Sequence, residues 1–251
     1  MTAWFISDLH LEPKYEAITK GFLSFLEKPQ SGDQLYILGD FFNVWIGDDF
    51  TNPYIDQIKQ ALKNKSDQGV EIFFMHGNRD FLVGQQFCEE TGCTLLDDPT
   101  VVELFGEKYL LMHGDSLCTR DVEYMQVRQM VRSPQWQEQF LSQTIEGRIE
   151  FAQNARAESQ SKNAEKAQES NNDMGEDIMD VTLEEVDAEL KKHSVTKMIH
   201  GHTHRPARHQ IDLDGTPAER IVLGDWYKSG WLLKIDESGV ELEEFDLPSK
   251  S

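Results

Sequence analysis

Short apolar runs alternate with stretches of helical spacing over the first half of the chain, and each apolar run stops at a polar group. Trp4-Phe5-Ile6 reads as a strand that runs into Ser7-Asp8-Leu9-His10. Residues 15–27 place Ile18, Phe22, Phe25 and Leu26 at helical spacing. Residues 33–38 form a second strand, stopped by Gly39-Asp40. Residues 53–66 read as a helix with Ile55, Ile58 and Leu62 on one side, ended by Gly69. Residues 70–75 form a third strand, stopped by His76-Gly77-Asn78. A helix over FLVGQQFCEE follows, then strands at 100–105 and 108–112, the second ending at His113-Gly114-Asp115. This order predicts an α/β sandwich with a mostly parallel sheet.

The pattern changes near residue 120. Residues 121–153 are helix-like, with large apolar groups at Tyr124, Val127, Val131, Trp136, Phe140, Ile145, Ile149 and Phe151. Residues 154–177 are polar, and 171–177 read as an exposed loop. A helix over 182–193 leads to a strand over 196–199. We therefore expect a core of residues 1–120 and 178–251 that carries a helical cap, residues 121–177. The cap's apolar groups pack on one another in the simpler reading and form a substrate lid in the functional one. Short strands around 221–223, 231–233 and 240–242 are expected to complete a second sheet. There is no internal repeat.

Composition narrows the partners. The 251 residues carry a formal net charge of −21. At whole-chain level there is no basic footprint for duplex nucleic acid, though a local basic groove stays open. An anionic substrate stays open, because bound cations reverse the local sign. Cys88, Cys93 and Cys118 are odd in number and lack Cys-x-x-Cys spacing, which predicts no disulfide framework and a reducing compartment. The N-terminus has no signal-peptide pattern, and no apolar run reaches a membrane span.

The polar residues at strand ends carry the chemistry. Asp8 and His10 follow the first strand, Asp40 the second and Asn78 the third. His113 follows a later one, and HGHTHRP places His202 and His204 after the strand near residue 197. Ligands gather beyond the carboxyl ends of strands in such sheets. Alone, either aspartate reads as a cap or turn acid, Asn78 as a turn residue and His113 as a buried histidine. Their shared placement argues for metal. Carboxylates, imidazoles and one amide oxygen, without cysteine, suit Mn, Fe, Zn, Ni or Co. Seven donors exceed one ion but serve two that share a bridging carboxylate. The i, i+2 spacing of Asp8/His10 and His202/His204 predicts a common direction along an extended exit. Gly39, Gly77, Gly114 and Gly201 beside these residues allow tight turns and close approach.

Asp8-x-His10, Gly39-Asp40, Gly77-Asn78-Arg79-Asp80, His113-Gly114-Asp115 and Gly201-His202-x-His204 resemble the calcineurin-like metallophosphoesterase pattern. The stretches FISDLHL, LYILGDFF, WIGDD, HGNRDFLVG, LLMHGDSLCTRD, IMDV and IHGHTHRP are similar, nearly end to end, to the pyrophosphatase family of the lipid A pathway. That resemblance implies a sandwich of two mixed β-sheets flanked by helices, with a helical cap. It implies hydrolysis of UDP-2,3-diacylglucosamine to UMP and 2,3-diacylglucosamine 1-phosphate, with attack at the α-phosphorus. It also implies two Mn²⁺ ions and peripheral contact with the cytoplasmic face of a Gram-negative inner membrane. Neither nucleic acid nor an obligate protein partner is implied.

By the same resemblance, Asp8, His10, Asp40 and His204 hold one metal, and Asp40, Asn78, His113 and His202 the other. Asp40, Asn78, Arg79 and His113 are the catalytic set, with Arg79 on the phosphate. Asn78, Arg79 and His202 contact substrate, joined from the cap by Asp121, Arg156, Ser159 and Lys166. Trp45 and the cap aromatics line space for acyl chains. The chain departs from the family pattern at Asn43, where relatives often carry an acid nearby, and over 160–177, which is longer and more acidic.

Four further expectations follow. Activity should fall at acid pH, because ligand histidines must be neutral. His76 and His200 either orient ligands or simply pack. Arg120, Arg128, Arg132 and Arg148 either touch lipid heads or pair with nearby glutamates. The rivals are a phosphodiesterase or nucleotide pyrophosphatase with a soluble substrate, and a metal-stabilised scaffold without activity.

Overall fold

The structure is a computed structural model that describes residues 1–169 and 180–248, without the side chains of 158–169. The first half follows the alternation read from the sequence: β1 (Ala3–Ile6), α1 (Glu16–Phe25), β2 (Gln34–Leu38), α2 (Pro53–Asp67), β3 (Glu71–Met75), α3 (Gln85–Thr91). Next come β4 (Cys93–Leu96), β5 (Thr100–Leu104) and β6 (Glu107–Leu111). Three helices follow: α4 (Val122–Val131), α5 (Pro134–Leu141) and α6 (Ile145–Glu169). The remainder is α7 (Leu183–His193), β7 (Lys197–His200), β8 (Ala207–Leu213), β9 (Thr216–Val222), β10 (Gly230–Asp236) and β11 (Gly239–Phe245).

The strands build two mixed sheets. One has the order β11-β10-β1-β2-β3-β4, with β1 to β4 parallel. The other has the order β5-β6-β7-β9-β8, with β6, β7 and β9 parallel. Side chains alternate across each strand. Phe5, Tyr36, Leu38 and Met75 therefore face Tyr109, Leu111, Ile199 and Ile221 in the core between the sheets. Phe5, Tyr36 and Phe73, on neighbouring strands, stack with centroids 4.7 and 4.8 Å apart. The opposite faces meet helices: Ile6, Ile37 and Phe74 pack with residues of α1, α2 and α3, and Leu110 and Met198 with Val186 and Leu190 of α7.

Four readings are corrected. β10 and β11 join the first sheet through the β1–β10 pairing; only β9 and β8 of the C-terminal strands extend the second. The edge strands escape the sequence pattern: β4 is only four residues, CTLL, directly after α3, and β8 carries exposed polar positions that hide it as an apolar run. The 121–153 stretch is broken by Ser133, whose hydroxyl caps α5 ahead of Pro134, and again between Leu141 and Ile145. Helix α6 extends to Glu169, through much of the polar stretch, because Ala, Glu, Gln and Lys favour helix without an apolar stripe. The loop read over 171–177 lies outside the described residues. Cys88, Cys93 and Cys118 are buried and free.

Candidate metal centre

The carboxyl ends of parallel strands from both sheets converge on one place. β1 delivers Asp8 and His10, β2 Asp40, β3 Asn78, β6 His113, and β7 His202 and His204. The way they arrive differs from the extended exit expected. Asp8, His10, Asp40, His202 and His204 have φ of 56°, 49°, 50°, 67° and 54°. These left-handed conformations cost L-residues energy and persist where the surroundings enforce them. The backbone supplies that enforcement. Asp8 N–H donates to Gly39 O at 3.1 Å and His10 N–H to Asp40 O at 2.9 Å. His202 N–H donates to Asp8 Oδ2 at 2.9 Å. Gly77 and Gly201 leave no room for a Cβ, which would stand 2.1 Å from Asp40 N and 2.2 Å from Asp8 Oδ2.

Two donor sets form around two carboxylates. Asp8, His10 and His204 bring ligand atoms within 4.8 Å of one another, and so do Asp8, Asp40 and His113. Asn78 Oδ1 lies 3.0 Å from both His113 Nε2 and His202 Nδ1. Asp40 faces both sets, with Oδ2 3.8 Å from His10 Nδ1 and Oδ1 3.7 Å from His113 Nε2. All seven expected ligands are thus brought together.

The residues fit a pair of cations. Asp8 Oδ1 and His10 Nδ1 are buried without a hydrogen-bond partner, a costly state unless something else fills it. Burial holds His10 down to about 3 and His202 to about 4, so both rings offer lone pairs. Burial opposes charge on His113 too, but Asp40, Asp115 and Asp8 carry it up to about 9. That reversal reflects the carboxylates gathered around the ring, whose negative charge a cation would balance. His113 Nδ1–H donates to Leu38 O at 2.9 Å, which turns Nε2 toward Asp40 and Asn78.

Several neighbours escaped the sequence reading of roles. Asp80 accepts N–H bonds from Asp40, Phe41, Phe42 and Gly77 and so fixes two ligand loops at once. Asp115 accepts from Tyr124 Oη at 2.6 Å and Arg128 Nε at 2.8 Å. Both stand inside quoted motifs, at GNRD and HGD, and that was their only signal. Tyr227 lays its ring 5.9 Å from His10, and Asp225 Oδ2 lies 3.7 Å from His204 Nδ1. His76 bonds to Val83 O and His200 to Gly201 O, so both pack rather than bond a ligand side chain.

Expectations outside the ligand set fare unevenly. Arg79 has a buried Nε without a partner. Asp121 caps α4 through Tyr124 N–H. Arg156 reaches Glu12 Oε2 at 3.4 Å. Ser159 and Lys166 fall among the side chains outside the description. Trp45 does not face open space: it is buried against Phe42 and Phe87. Arg148 is buried too, on Asp49 and Ile46 O. Arg128 and Arg132 turn inward to Asp115 and Gly77 O. Of those four arginines only Arg120 is exposed.

Comparison with known proteins agrees with this geometry. Residues 1–206 match the family model of calcineurin-like phosphoesterases. A UDP-2,3-diacylglucosamine hydrolase of Pseudomonas aeruginosa is 50% identical over 248 residues, 98% of this chain and all of that one. One from Chromohalobacter salexigens is 48% identical over the full length of both chains. One from Marinobacter nauticus is 52% identical over 95% of each. Among solved structures, an archaeal phosphodiesterase aligns over 98% of this chain and all of that one, with a TM-score of 0.49 and 14% identity. The strand-end donors, the two mixed sheets and the full-length relatives agree: the chain belongs to the calcineurin-like phosphoesterase family, as a dinuclear metal-dependent hydrolase.

Proposed function

We propose that this enzyme hydrolyses the pyrophosphate bond of UDP-2,3-diacylglucosamine, releasing UMP and 2,3-diacylglucosamine 1-phosphate, with two Mn²⁺ ions in the site. The observation that carries the chemistry is the Asp40 carboxylate, which faces a donor set on each side. Its relatives' shared name, at about half identity over whole chains, carries the substrate. When bound, the ions would neutralise phosphoryl oxygens and supply a nucleophile from water near neutral pH.

The chain's own residues do the rest. Asp8, His10, Asp40 and His204 would hold one ion, and Asp40, Asn78, His113 and His202 the other. Arg79 has its donor Nε free inside the protein, suited to charge that builds on a phosphoryl oxygen at the α-phosphorus. Residues 121–177 would form a cap over a core of 1–120 and 178–251. Trp136, Phe140 and Phe151 cluster there, while Val122, Val127, Met130 and Phe151 stay exposed. Burial of acyl chains is worth about 0.8 kcal/mol per methylene. Asp121, Arg156, Ser159 and Lys166 would meet the substrate from that side. No described helix is long and apolar enough to cross a membrane. A lipid substrate calls for peripheral contact at the cytoplasmic face of an inner membrane.

The deciding experiment is UMP release from UDP-2,3-diacylglucosamine in detergent by metal-stripped protein, with and without Mn²⁺. Mn²⁺-dependent release that disappears in Asp40→Ala is the expected result. Activity on UDP-glucosamine lacking acyl chains, at equal or greater kcat/KM, would move the substrate to a soluble pyrophosphate.

A further inference from the structure

We propose that α4 is a clamp for the second ligand set: Tyr124, Arg128 and Arg132 are positioning residues for Asn78, His113 and His202. The proposal rests on the dinuclear reading above. These side chains stand four residues apart, Arg132 being the C-cap that continues the helical turn, so they share one face. Two of them converge on one carboxylate oxygen beside the second set, and the third reaches the loop that carries Asn78. The Tyr124 hydroxyl donates to Asp115 Oδ2 at 2.6 Å, and its ring lies near-parallel to that of His202, 6.1 Å away. Arg128 Nε donates to the same Oδ2 at 2.8 Å, and its Nη2 stands 3.8 Å from Asp98 Oδ2. Arg132 Nη2 donates to Gly77 O at 2.9 Å, and its guanidinium lies over Phe81, 5.5 Å from the ring centre.

Asp115 is fully buried and follows His113 by two residues; Gly77 immediately precedes Asn78. The side-chain hydrogen bonds of Tyr124, Arg128 and the C-cap Arg132 therefore end on the loops that carry Asn78 and His113, and the Tyr124 ring faces His202. Asp8 and His10 instead draw support from the strand-end loops of β1, β2 and β7, through their own N–H bonds to Gly39 O and Asp40 O and through His202 N–H and Ser7 Oγ on Asp8.

What seats α4 strengthens the argument. No residue of this ten-residue helix is buried, and Val122, Val127 and Met130 are exposed. A helix this short is not stable alone and normally leans on an apolar face. Here polar contacts to the metal loops take that role. If α4 lifts, a buried carboxylate loses two donors and a backbone carbonyl loses its partner, so the loops must rearrange. Coupling of this kind is reciprocal: metal in the second set holds the helix, and the seated helix tightens the metal.

The test is Mn²⁺ binding to metal-stripped full-length protein, followed by the electron paramagnetic resonance signal of free Mn²⁺. His204→Ala and Asn78→Ala serve as references that each lack one set. Two variants preserve net charge. Tyr124→Phe removes only a hydroxyl, and the double change Arg128→Lys, Arg132→Lys keeps both charges without the guanidinium geometry. The expected result is second-site affinity weaker by about tenfold or more in both variants, with first-site affinity unchanged. Retained first-site binding also reports a folded core. Second-site affinity within about twofold of wild type in both, or equal weakening of both sites, overturns the clamp. Wild-type protein that binds a single Mn²⁺ would instead overturn the dinuclear reading, and the clamp with it.

Discussion

His10 Nε2 and His204 Nε2 face each other at 3.4 Å, 194 positions apart in the chain. Asp8 Oδ1 stands 3.3 Å from the same His204 atom and has no hydrogen-bond partner of its own. Two imidazole nitrogens and a carboxylate oxygen aimed at one point repel unless a proton or a cation lies between them. Burial holds the His10 pKa down to about 3, and burial opposes charge on His204 too although Asp8 raises its pKa. A proton on His204 satisfies Asp8 but leaves His10 unmet, whereas a cation meets all three donors. His204→Ala should therefore cost one bound metal per chain and at least about 100-fold in turnover, since even residues that merely orient ligands are worth 10–100-fold in affinity. Metal content by mass spectrometry, alongside UMP release, checks this. Full metal content with normal turnover would remove His204 from the ligand set.

Metal binding should release a proton from His113. Free of metal, its ring is held up to about 9 by Asp40, Asp115 and Asp8 against the pull of burial. A ligand must be neutral. Between pH 7 and 9 the metal must displace that proton, so second-site affinity should tighten by about tenfold per pH unit and level off above 9. Calorimetric titration in buffers of differing ionisation enthalpy reads the proton directly. A flat affinity over this range would contradict it.

Gly77→Ala should damage the centre without touching a ligand. Its φ is not left-handed; the constraint is space, with Asp40 N and Oδ1 only 2.1 and 2.2 Å from where a Cβ would stand. Overpacking of this kind costs about 1–3 kcal/mol, and here the displaced group is the shared carboxylate. Urea unfolding should show the loss of stability, and turnover should fall further than stability explains. Gly215→Ala, where a Cβ would meet nothing within 4 Å, is the control. Its φ is positive, so it should cost stability and spare turnover.

What the sequence revealed of this site, and what it hid, have physical reasons. Asp8, His10, Asp40, Asn78, His113, His202 and His204 were legible because each ends an apolar run, and parallel strands bring such ends together. Their left-handed backbone was not legible, since nothing in an Asp or His side chain announces φ. The roles of Asp80 and Asp115 were hidden because their partners are backbone N–H groups and residues of α4, which no local pattern identifies. For Arg148 the choice between lipid heads and nearby glutamates stayed open, and it is buried against Asp49, a pairing set by tertiary contact. The edge strand β8 was missed because exposed polar positions dilute its apolar signal, and β4 because four residues directly after a helix give too short a run. The length of α6 was hidden because its helix-forming residues lack an apolar stripe.

His200 allows a test of burial that leaves the ligands in place. Its ring is fully buried, with Nδ1 2.8 Å from Gly201 O and Nε2 3.4 Å from Arg220. Burial first, and Arg220 second, hold its pKa down to about 3. In the unfolded chain the ring titrates near 6.5. A folded-state pKa below the unfolded one means that the unfolded chain binds the extra proton as pH falls. The stability this neutral ring contributes is thus fully present above about 6.5 and is lost progressively down to about 3. The limiting slope for one proton is about 1.4 kcal/mol per pH unit. His200→Gln removes the titration and keeps an amide for the same two neighbours. In metal-stripped protein, the variant is expected to be less stable than wild type at pH 7.5, with the gap closing at up to that slope between pH 6 and 4.5. Urea unfolding at four or five pH values measures the gap. Parallel stability curves for the two proteins would mean that the folded protein takes up this proton as readily as the unfolded chain, and would overturn the effect of burial.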